Sequence, residues 1–477
     1  MRRSIPTHLA LLLAVVAPPS GAQDAATRPT MPQAVRRFVR TDAAVIALRN
    51  ARVIDGTGAP ARGAQTLLIR DGRIAAIGAE GAVPIPSDAT QINLDGRTVI
   101  PGLVMVHEHL YYPTGGGTYA NLGESFTRLY LAGGVTSMRT GGNVNGFSDI
   151  NIARAIARGE KAGPWIDATA PYITGPGLAL TQMQPVRNPA EARRMAQYWA
   201  DAGATSFKAY MHITRDVLSA LVSEAHSRGL KVTGHLCSVT YAEATEIGID
   251  NLEHGFFAAT DFVAGKKPDE CKQNGQTEQA AALETSRPEM QELIANLVRR
   301  GVAVTSTLTI FETFVPGRPL PPGLDVLEPS LKADYEARHA QVALRTSGYT
   351  ALYPAAAKAE LAFFRAGGLL LVGTDPTGGG GVVAGFSNQR ALELLVEAGF
   401  TPLEAITVGT LNGARYLGRD REVGTIAVGK QADLVILGGD PSADIANIRK
   451  VELVFKQGIA YDPAKLIESV RGKAGLW

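Results

Sequence analysis

The stretch "VIPGLVMVHEHLYYP", residues 99–113, is an apolar run that ends in two histidines and then breaks up into Tyr and Pro. Alternate side chains along a strand share a face, so His107 and His109 are expected on one side and Glu108 on the other. Two imidazoles on one side of a strand end can be a packed polar pair or two ligands of one metal ion. The rest of the chain has to decide between these interpretations.

The segment from about 99 to 418 repeats one pattern: an amphipathic helix, a glycine, an apolar strand and then a polar residue. For example, "DVLSALVSEAHSRG" ends at Gly229, and the following "LKVTGH" ends at His235. Helices that alternate with buried apolar strands indicate parallel βαβ units. Strands are expected near 99–109, 134–139, 165–170, 204–210, 230–235, 250–254, 302–307 and 369–375. Eight such units predict an α/β protein with a (β/α)8 TIM barrel, in which catalytic residues lie at the C-terminal ends of the strands.

Short alternating strands flank this segment on both sides. "AVIALRNARVIDGTG" and "TLLIRDGRIAAIG" precede it and "VGTIAVGKQADLVIL" follows it, and the Asp-Gly pairs are typical of hairpin turns. We therefore predict a small β-sandwich domain assembled from residues 44–98 and 419–465. It would accompany a barrel over 99–418 and follow a loose N-terminal arm over 23–43.

The first residues have the pattern of a secretory leader. Arg2 and Arg3 precede the apolar run "LALLLAVVA", and small residues follow at Ser20 and Ala22. This run has about half the length of a membrane-spanning helix. We therefore predict a signal peptide over 1–22, export to the periplasm or the medium, and no membrane segment in the mature chain.

Composition limits the partners of the mature chain. Without Arg2 and Arg3, 45 basic residues face 45 acidic ones, and there is no basic block. This balance argues against nucleic acid and favours a small-molecule substrate. The two cysteines, Cys237 and Cys271, could pair in an exported protein, but the sequence does not show the distance between them. The sequence also leaves the formation of a homo-oligomer open.

Six polar residues occupy the predicted strand ends, and four of the chain's eight histidines are among them. They are His107, His109, Lys208, His235, His254 and Asp375. Each one alone has an ordinary explanation as a hydrogen-bonded polar residue, a solvated lysine or a helix cap. Their convergence on one rim favours a shared site instead, and His212, close behind Lys208, is a further candidate.

This set resembles the amidohydrolase superfamily, and the resemblance runs from about residue 45 to residue 462. It rests on the His-x-His of "VHEHL", the Lys of "SFKAY", the histidines of "TGHL" and "LEHG", and the Asp of "GTDP". The resemblance implies one divalent metal ion on His107, His109 and Asp375. It implies a second ion on His235 and His254, and the ligand types make zinc the expected metal for both.

The resemblance also implies a chemical role for Lys208 and Asp375. An ammonium cannot bind a cation, so Lys208 would bridge the two metals as a carbamate formed with CO2. A hydroxide bridging the metals would attack the carbonyl, and Asp375 would pass its proton to the leaving amine. Met105 stands where many relatives have an acidic residue, which puts the surroundings of the metals in doubt but not the metals.

Within the superfamily, the chain most resembles the Xaa-Pro dipeptidase and carboxypeptidase-like members. This implies hydrolysis of an amide to an amino acid with a free carboxylate, in a dipeptide or an N-acyl amino acid, including aromatic ones of the ochratoxin type. Arg139, at the end of "GVTSMR", and Tyr210, two residues beyond Lys208, are expected to bind that carboxylate. The alternative is a lactonase or cyclic-amide hydrolase with the same two metals.

Two other classes fit the sequence less well. A deaminase-type member has an acidic residue soon after the histidine of the fifth strand, whereas His235 is followed by "LCS". A binding protein on this scaffold would be expected to have lost ligands, and none is missing. Aromatic residues on the predicted mouth loops can line an apolar pocket or form the loops' own cores. They are Tyr111, Tyr112, Phe256, Phe257, Phe311 and Phe314.

Overall fold

The computed structural model describes residues 31–115, 118–178 and 182–475 of the 477-residue chain. The predicted signal peptide over 1–22 and the first part of the predicted arm lie outside the described residues. None of the helices in the described ranges is long and apolar enough to cross a membrane.

The chain alternates strands and helices through most of its length. The strands are β1 Val39–Thr41, β2 Val45–Val53, β3 Arg62–Arg70, β4 Arg73–Ala79, β5 Thr90–Asn93, β6 Thr98–Pro101, β7 Leu103–Glu108, β8 Tyr111–Pro113, β9 Tyr119–Asn121, β10 Val135–Thr140, β11 Trp165–Asp167, β12 Ser206–Met211, β13 Lys231–Leu236, β14 Asn251–Glu253, β15 Ala303–Ser306, β16 Leu370–Val372, β17 Leu434–Leu437, β18 Val451–Lys456 and β19 Ile459–Tyr461.

The helices lie mostly between the strands of the central segment. They are α1 Gln33–Arg36, α2 Gly123–Ala132, α3 Ser148–Ala157, α4 Pro189–Ala202, α5 Arg215–Ser227, α6 Tyr241–Ile247, α7 Gln276–Ala282, α8 Pro288–Arg300, α9 Leu308–Glu312, α10 Pro329–Ala343, α11 Tyr349–Arg365, α12 Phe386–Glu397, α13 Pro402–Thr407, α14 Gly413–Tyr416 and α15 Pro463–Glu468. Leu324–Val326 and Ile445–Arg449 are 3-10 turns, and Val408–Asn412 is a π-helical turn.

Two parallel sheets carry the strands predicted for the central segment. One sheet has the order β11-β10-β7, and the other has the order β12-β13-β14-β15-β16. In the second sheet, Lys208 pairs with Thr233 and Tyr210 with His235. This register places the C-terminal ends of neighbouring strands side by side.

Helix α5 shows why the repeated pattern folds as predicted. Its apolar side chains recur at helical spacing and are buried: Val217, Leu218, Leu221, Val222 and Ala225. Helices α6 and α8 end in left-handed glycines, Gly248 at φ 96° and Gly301 at φ 69°, a conformation that costs glycine little because it has no Cβ. The chain then turns back into strands β14 and β15.

Strands from the two ends of the chain share one sheet. The order is β1-β19-β18-β17-β6-β2-β3-β4, and β5 also pairs with β2. The junction lies where β17 runs antiparallel to β6, with Leu434 opposite Pro101. The composite origin agrees with the sequence pattern. In the described residues the hydrogen bonds form a single nine-stranded sheet that branches at β2, so a sandwich of two sheets is not confirmed.

The two cysteines form a disulfide. Cys237 follows β13 directly and Cys271 lies in the loop between β14 and α7, and their Cα atoms are 4.9 Å apart. The bond closes a segment of sequence separation 34 and tethers this long loop to the end of β13. The sequence left this pairing open because it depends on a distance that only the fold determines.

Candidate active site

The six polar residues of the predicted strand ends lie at one edge of the parallel sheets. His107 lies in β7, and His109 follows this strand. Lys208 lies in β12 and His235 in β13. His254 directly follows β14, and Asp375 lies three residues after the end of β16. All of them except His235 are buried.

Asp375 is the centre of this cluster. Its Oδ1 lies 3.1 Å from Nε2 of His109 and 3.7 Å from Nε2 of His107, and its Oδ2 lies 3.7 Å from Nδ1 of His254. One ligand atom from each of His107, His254 and Asp375 lies within 4.8 Å of the others. The His235 ring is 4.3 Å from the His254 ring, between centroids. Four imidazoles and a carboxylate therefore converge.

Two of these residues have an unusual backbone conformation. His254 has φ 68° and Asp375 has φ 54°, in the left-handed region that side chains other than glycine rarely adopt. Such a conformation costs on the order of 1–3 kcal/mol and is concentrated at functional sites. Here it turns the chain sharply just after β14 and β16, which allows both side chains to face the cluster.

Three of the four imidazoles in the cluster, those with lowered pKa values, are neutral at neutral pH, as metal binding requires. Burial lowers the pKa of His235 to about 3 and that of His109 to about 4, and burial with the neighbouring imidazoles lowers the pKa of His254 well below its usual value. Metal ligation needs the neutral ring. Burial would also lower the pKa of His107, but the carboxylate of Glu253, 2.6 Å from Nδ1, raises it.

Lys208 lies among these residues with no hydrogen bond to its amine. The side chain is 1% exposed, its Nζ has no hydrogen-bond partner among the described residues, and it forms a long ion pair with Oε1 of Glu253, 3.8 Å away. Burial lowers the pKa of Lys208 to about 8, which makes the neutral, reactive amine accessible. A buried amine that makes no hydrogen bond is costly as it stands. The position therefore fits a lysine that carries a carbamate.

The pattern of the chain agrees with one protein family. Residues 98–460 match the model of the amidohydrolase family. The chain belongs to the amidohydrolase family. Its fold is also that of known members. An Xaa-Pro dipeptidase with methionine bound in its active site aligns over 88% of this chain and 100% of its own, with 21% sequence identity and a TM-score of 0.66.

Two further proteins are similar to this amidohydrolase. The A. niger ochratoxinase aligns over 91% of this chain and 99% of its own, with 19% identity and a TM-score of 0.64. The enamidase of Eubacterium barkeri is 41% identical over 86 residues, which are 18% of this chain and 21% of the enamidase. The chain thus matches about a fifth of the length of this curated relative.

Arg139 lies near the end of β10, and its side chain is buried inside the fold of this amidohydrolase. Its guanidinium is 1% exposed, donates from Nε to the carbonyl of Val106 at 2.9 Å, and pairs through Nη2 with Glu253. Its Nη1 has no hydrogen-bond partner among the described residues. Arg139 therefore lies inside the fold and binds Glu253, and its role toward a substrate carboxylate stays a prediction.

Tyr210 and His212 have different surroundings. The half-buried ring of Tyr210 lies 4.9 Å from the ring of His235, next to the cluster. Burial raises the pKa of Tyr210 above its usual value, so the phenol keeps its proton and can donate. His212 instead directs Nδ1 at the carbonyl of Pro176, at 3.1 Å. Tyr210 remains a candidate for substrate binding, whereas His212 has a structural hydrogen bond.

The aromatic residues of the predicted mouth loops divide into two groups. Phe256 and Tyr112 are buried, and Tyr112 accepts a hydrogen bond from the amide of Gly381 at 2.7 Å. By contrast, Phe311 and Phe314 are half-buried, and the Phe311 ring lies 5.9 Å from the ring of His254 and 3.7 Å from that of Phe257, on which it stacks. Tyr111 stacks on His109 with ring centroids 4.4 Å apart. Apolar rings therefore border the cluster.

Two buried glutamates that the sequence analysis did not assign also support the cluster. Glu108, on the opposite face of β7 from the histidines, accepts hydrogen bonds from the amide of Thr374 at 3.1 Å and from Nδ2 of Asn388 at 2.9 Å. It thereby holds the segment that carries Asp375. Glu253 contacts His107 and Arg139. Its place directly before His254 in "LEHG" was the available sequence signal.

Proposed function

We propose that this amidohydrolase is a metal-dependent hydrolase of amide bonds to an amino acid with a free carboxylate, in a dipeptide or an N-acyl amino acid. The observation that carries the proposal is the cluster of four histidines, three of them buried, around Asp375, with the buried amine of Lys208 beside it, which makes no hydrogen bond among the described residues. The similar Xaa-Pro dipeptidase and ochratoxinase support the substrate class.

The donor set fits two divalent cations, with zinc expected from imidazole and carboxylate ligands. His107, His109 and Asp375 would hold one ion, and His235 and His254 would hold the other. Carboxylated Lys208 would be shared between them. When bound, the ions would polarise the scissile carbonyl and acidify the attacking water.

The residues of the chain supply the proton transfer and the orientation of the substrate. Burial would raise the pKa of Asp375, but the neighbouring imidazole of His107 and the hydrogen bond with His109 hold it well below its usual value. Its carboxylate is therefore ionised at neutral pH and can accept the proton of the attacking water and pass it to the leaving amine. The Tyr210 phenol would donate to the substrate carboxylate.

Half-buried aromatic rings support an apolar or aromatic group on the substrate. Phe311 and Phe314 lie at the same end of the fold as His254, and each keeps part of its ring accessible. Such rings contribute much of the contact area in small-molecule sites. An aromatic acyl group or side chain would pack against them while the amide lies at the cluster.

We also infer the closure of the fold and the location of the protein. An isolated parallel bridge between Thr169 and Ser206 and the hydrogen bonds from the amides of Thr374 and Asp375 to the carbonyl of His107, at 3.0 and 3.1 Å, support a single closed (β/α)8 barrel. The disulfide supports export to an oxidising compartment, in line with the predicted leader.

The first test is the metal content. We expect the purified mature protein to bind about two divalent ions per chain. Chelation should abolish the hydrolysis of dipeptides and N-acyl amino acids, because the proposed reaction needs both ions. Elemental analysis and activity before and after dialysis against a chelator measure this. Zinc added back should restore both, whereas full activity with one ion per chain would contradict the two-metal assignment.

The second test separates acid substrates from amides. Tyr210→Phe is expected to lower kcat/KM about 10- to 100-fold for substrates with a free carboxylate, because it removes one hydrogen bond to a charged group. The matching C-terminal amides should lose far less. Tyr198→Phe, a change at a side chain that is 55% exposed on α4, is the matched control. Equal losses on acids and amides would favour the lactone or cyclic-amide alternative.

A further inference from the structure

We propose that Glu253 is a positioning residue that orients His107 for metal binding. The inference rests on the proposed function, because it concerns how the chain prepares the first of the two proposed metal positions. Glu253 is not among the ligands that the family resemblance implies. It lies in β14 directly before His254, and it contacts Nδ1 of His107, whereas Asp375 faces Nε2 of the same ring.

Glu253 is held in one orientation by its donors. The residue is fully buried, and its Oε2 lies 2.6 Å from Nδ1 of His107. Its Oε1 accepts from Nη2 of Arg139, from the hydroxyl of Thr233 and, at 3.3 Å, from Nδ2 of Asn251. A buried carboxylate with a donor on each oxygen has no low-energy alternative orientation, since any rotation would leave polar groups unpaired.

This contact fixes which nitrogen of His107 can bind metal. A neutral imidazole has one donor and one acceptor nitrogen. Because the ionised carboxylate of Glu253 can only accept, Nδ1 of His107 carries the proton, and Nε2 presents its lone pair. Nε2 is also the nitrogen that faces Asp375, at 3.7 Å from Oδ1. Glu253 therefore selects the tautomer that the proposed metal site needs.

The other ring hydrogen bonds make His107 distinct among the proposed ligands. In His109, Nε2 faces Asp375 and the other ring nitrogen, Nδ1, forms a hydrogen bond with the carbonyl of Gly142, at 3.0 Å. Among the proposed ligand histidines in the described ranges, only His107 has a carboxylate, that of Glu253, at the ring nitrogen that does not face Asp375. A charged acceptor binds the ring proton more strongly than a carbonyl does and makes the other nitrogen a stronger donor to a metal.

Arg139 keeps Glu253 in place. It pairs with the carboxylate through Nη2 and is anchored through Nε on the carbonyl of Val106, at 2.9 Å. The buried pair balances one charge with another, and this favours the ionised carboxylate although it is out of contact with water. This explains why the arginine at the end of β10 points into the fold rather than toward a substrate.

Glu253→Gln tests the proposal, because the amide keeps the shape of the side chain and removes its charge. We expect the affinity for the first metal ion to fall 10- to 100-fold, with the second little changed. Competition with a chelator measures both dissociation constants. At a free zinc concentration that just saturates the wild type, the number of bound ions per chain should fall from about two to about one. At saturating zinc, kcat should recover most of its wild-type value, which a collapsed site would not allow.

Glu393→Gln is the matched control. Glu393 is also buried and paired with arginines, Arg390 and Arg449, but it lies on α12 and contacts none of the proposed ligands. It should leave both metal affinities unchanged. Unchanged metal affinity in Glu253→Gln, with two ions in the wild type, would overturn this inference alone. A wild-type protein that binds no metal would instead overturn the proposed function.

A measurement on the wild-type protein covers the case in which Glu253→Gln does not fold. Long-range 1H–15N NMR of zinc-loaded protein labelled with 15N-histidine reports which ring nitrogen carries the proton. The signal of His107 is assigned as the one that disappears in His107→Gln. We expect this ring to be protonated on Nδ1. Protonation on Nε2 would overturn the proposal.

Discussion

Asp375→Asn is expected to lower kcat by about 10²- to 10⁴-fold, the usual contribution of a general base. Asparagine keeps the shape of the side chain and one ligand oxygen, but it cannot accept a proton from the attacking water. The carboxylate of Asp375 lies 3.1 Å from Nε2 of His109 and is ionised at neutral pH. Steady-state kinetics on the best amide substrate, at saturating zinc, measure the loss.

The metal content of Asp375→Asn shows whether its activity falls because the general base is lost or because metal binding is weaker. Elemental analysis of Asp375→Asn should be made beside the kinetics, because weaker metal binding also lowers activity. Asp433→Asn is the matched control: Asp433 is a buried aspartate that accepts from the amide of Gln457 at 2.6 Å in the composite sheet. A variant of Asp375 with near-normal kcat and two bound ions would show that another group accepts the proton.

The repeated pattern predicted the central architecture because local rules determine it. Helical spacing of apolar residues, a left-handed glycine and a buried strand recur along the chain, and each depends on a few neighbouring residues. Parallel strands then bring their C-terminal ends to one edge, so the polar residues that follow them were expected to meet there. Their convergence on Asp375 agrees with that expectation.

Alternation along a strand was a weaker guide at the strand ends. In β14, Asn251 and Glu253 share a face, so strict alternation would turn His254 away from them. The left-handed backbone of His254, with φ 68°, ends the strand and allows its ring to join the cluster. The sequence pattern therefore indicated His254 through the family resemblance, where its role as a ligand stays a prediction, and indicated Glu253 only through its place directly before His254 in "LEHG".

Long-range contacts account for the other differences. Arg139 lies in a strand-end position typical of a substrate-binding residue, but its partner Glu253 is 114 residues away in the chain. The composite sheet branches at β2 because β5 pairs with the first part of this strand and β6 pairs with its last residues. Neither pairing has a local sequence signal, and neither does the distance between Cys237 and Cys271.

Lys208→Ala is expected to remove activity and most of the bound metal together. The proposed carbamate would be the protein group shared by both ions, so its loss should weaken both positions. The fold should survive, because Nζ of Lys208 makes no hydrogen bond among the described residues that the change could break. Elemental analysis, kcat and the melting temperature of the metal-free protein measure the three effects.

Rescue by a small carboxylate distinguishes the carbamate from a purely structural lysine. Alanine leaves space where the buried side chain lay, so formate at high concentration should enter it, supply the missing anionic oxygens and restore part of the metal content and activity. Lys208→Met is the matched control, because methionine fills the space and excludes formate while it removes the amine. His107→Ala should show no rescue either, since formate does not replace an imidazole. Two tightly bound ions and normal kcat in Lys208→Met would contradict the bridging role, because that side chain cannot carry a carbamate.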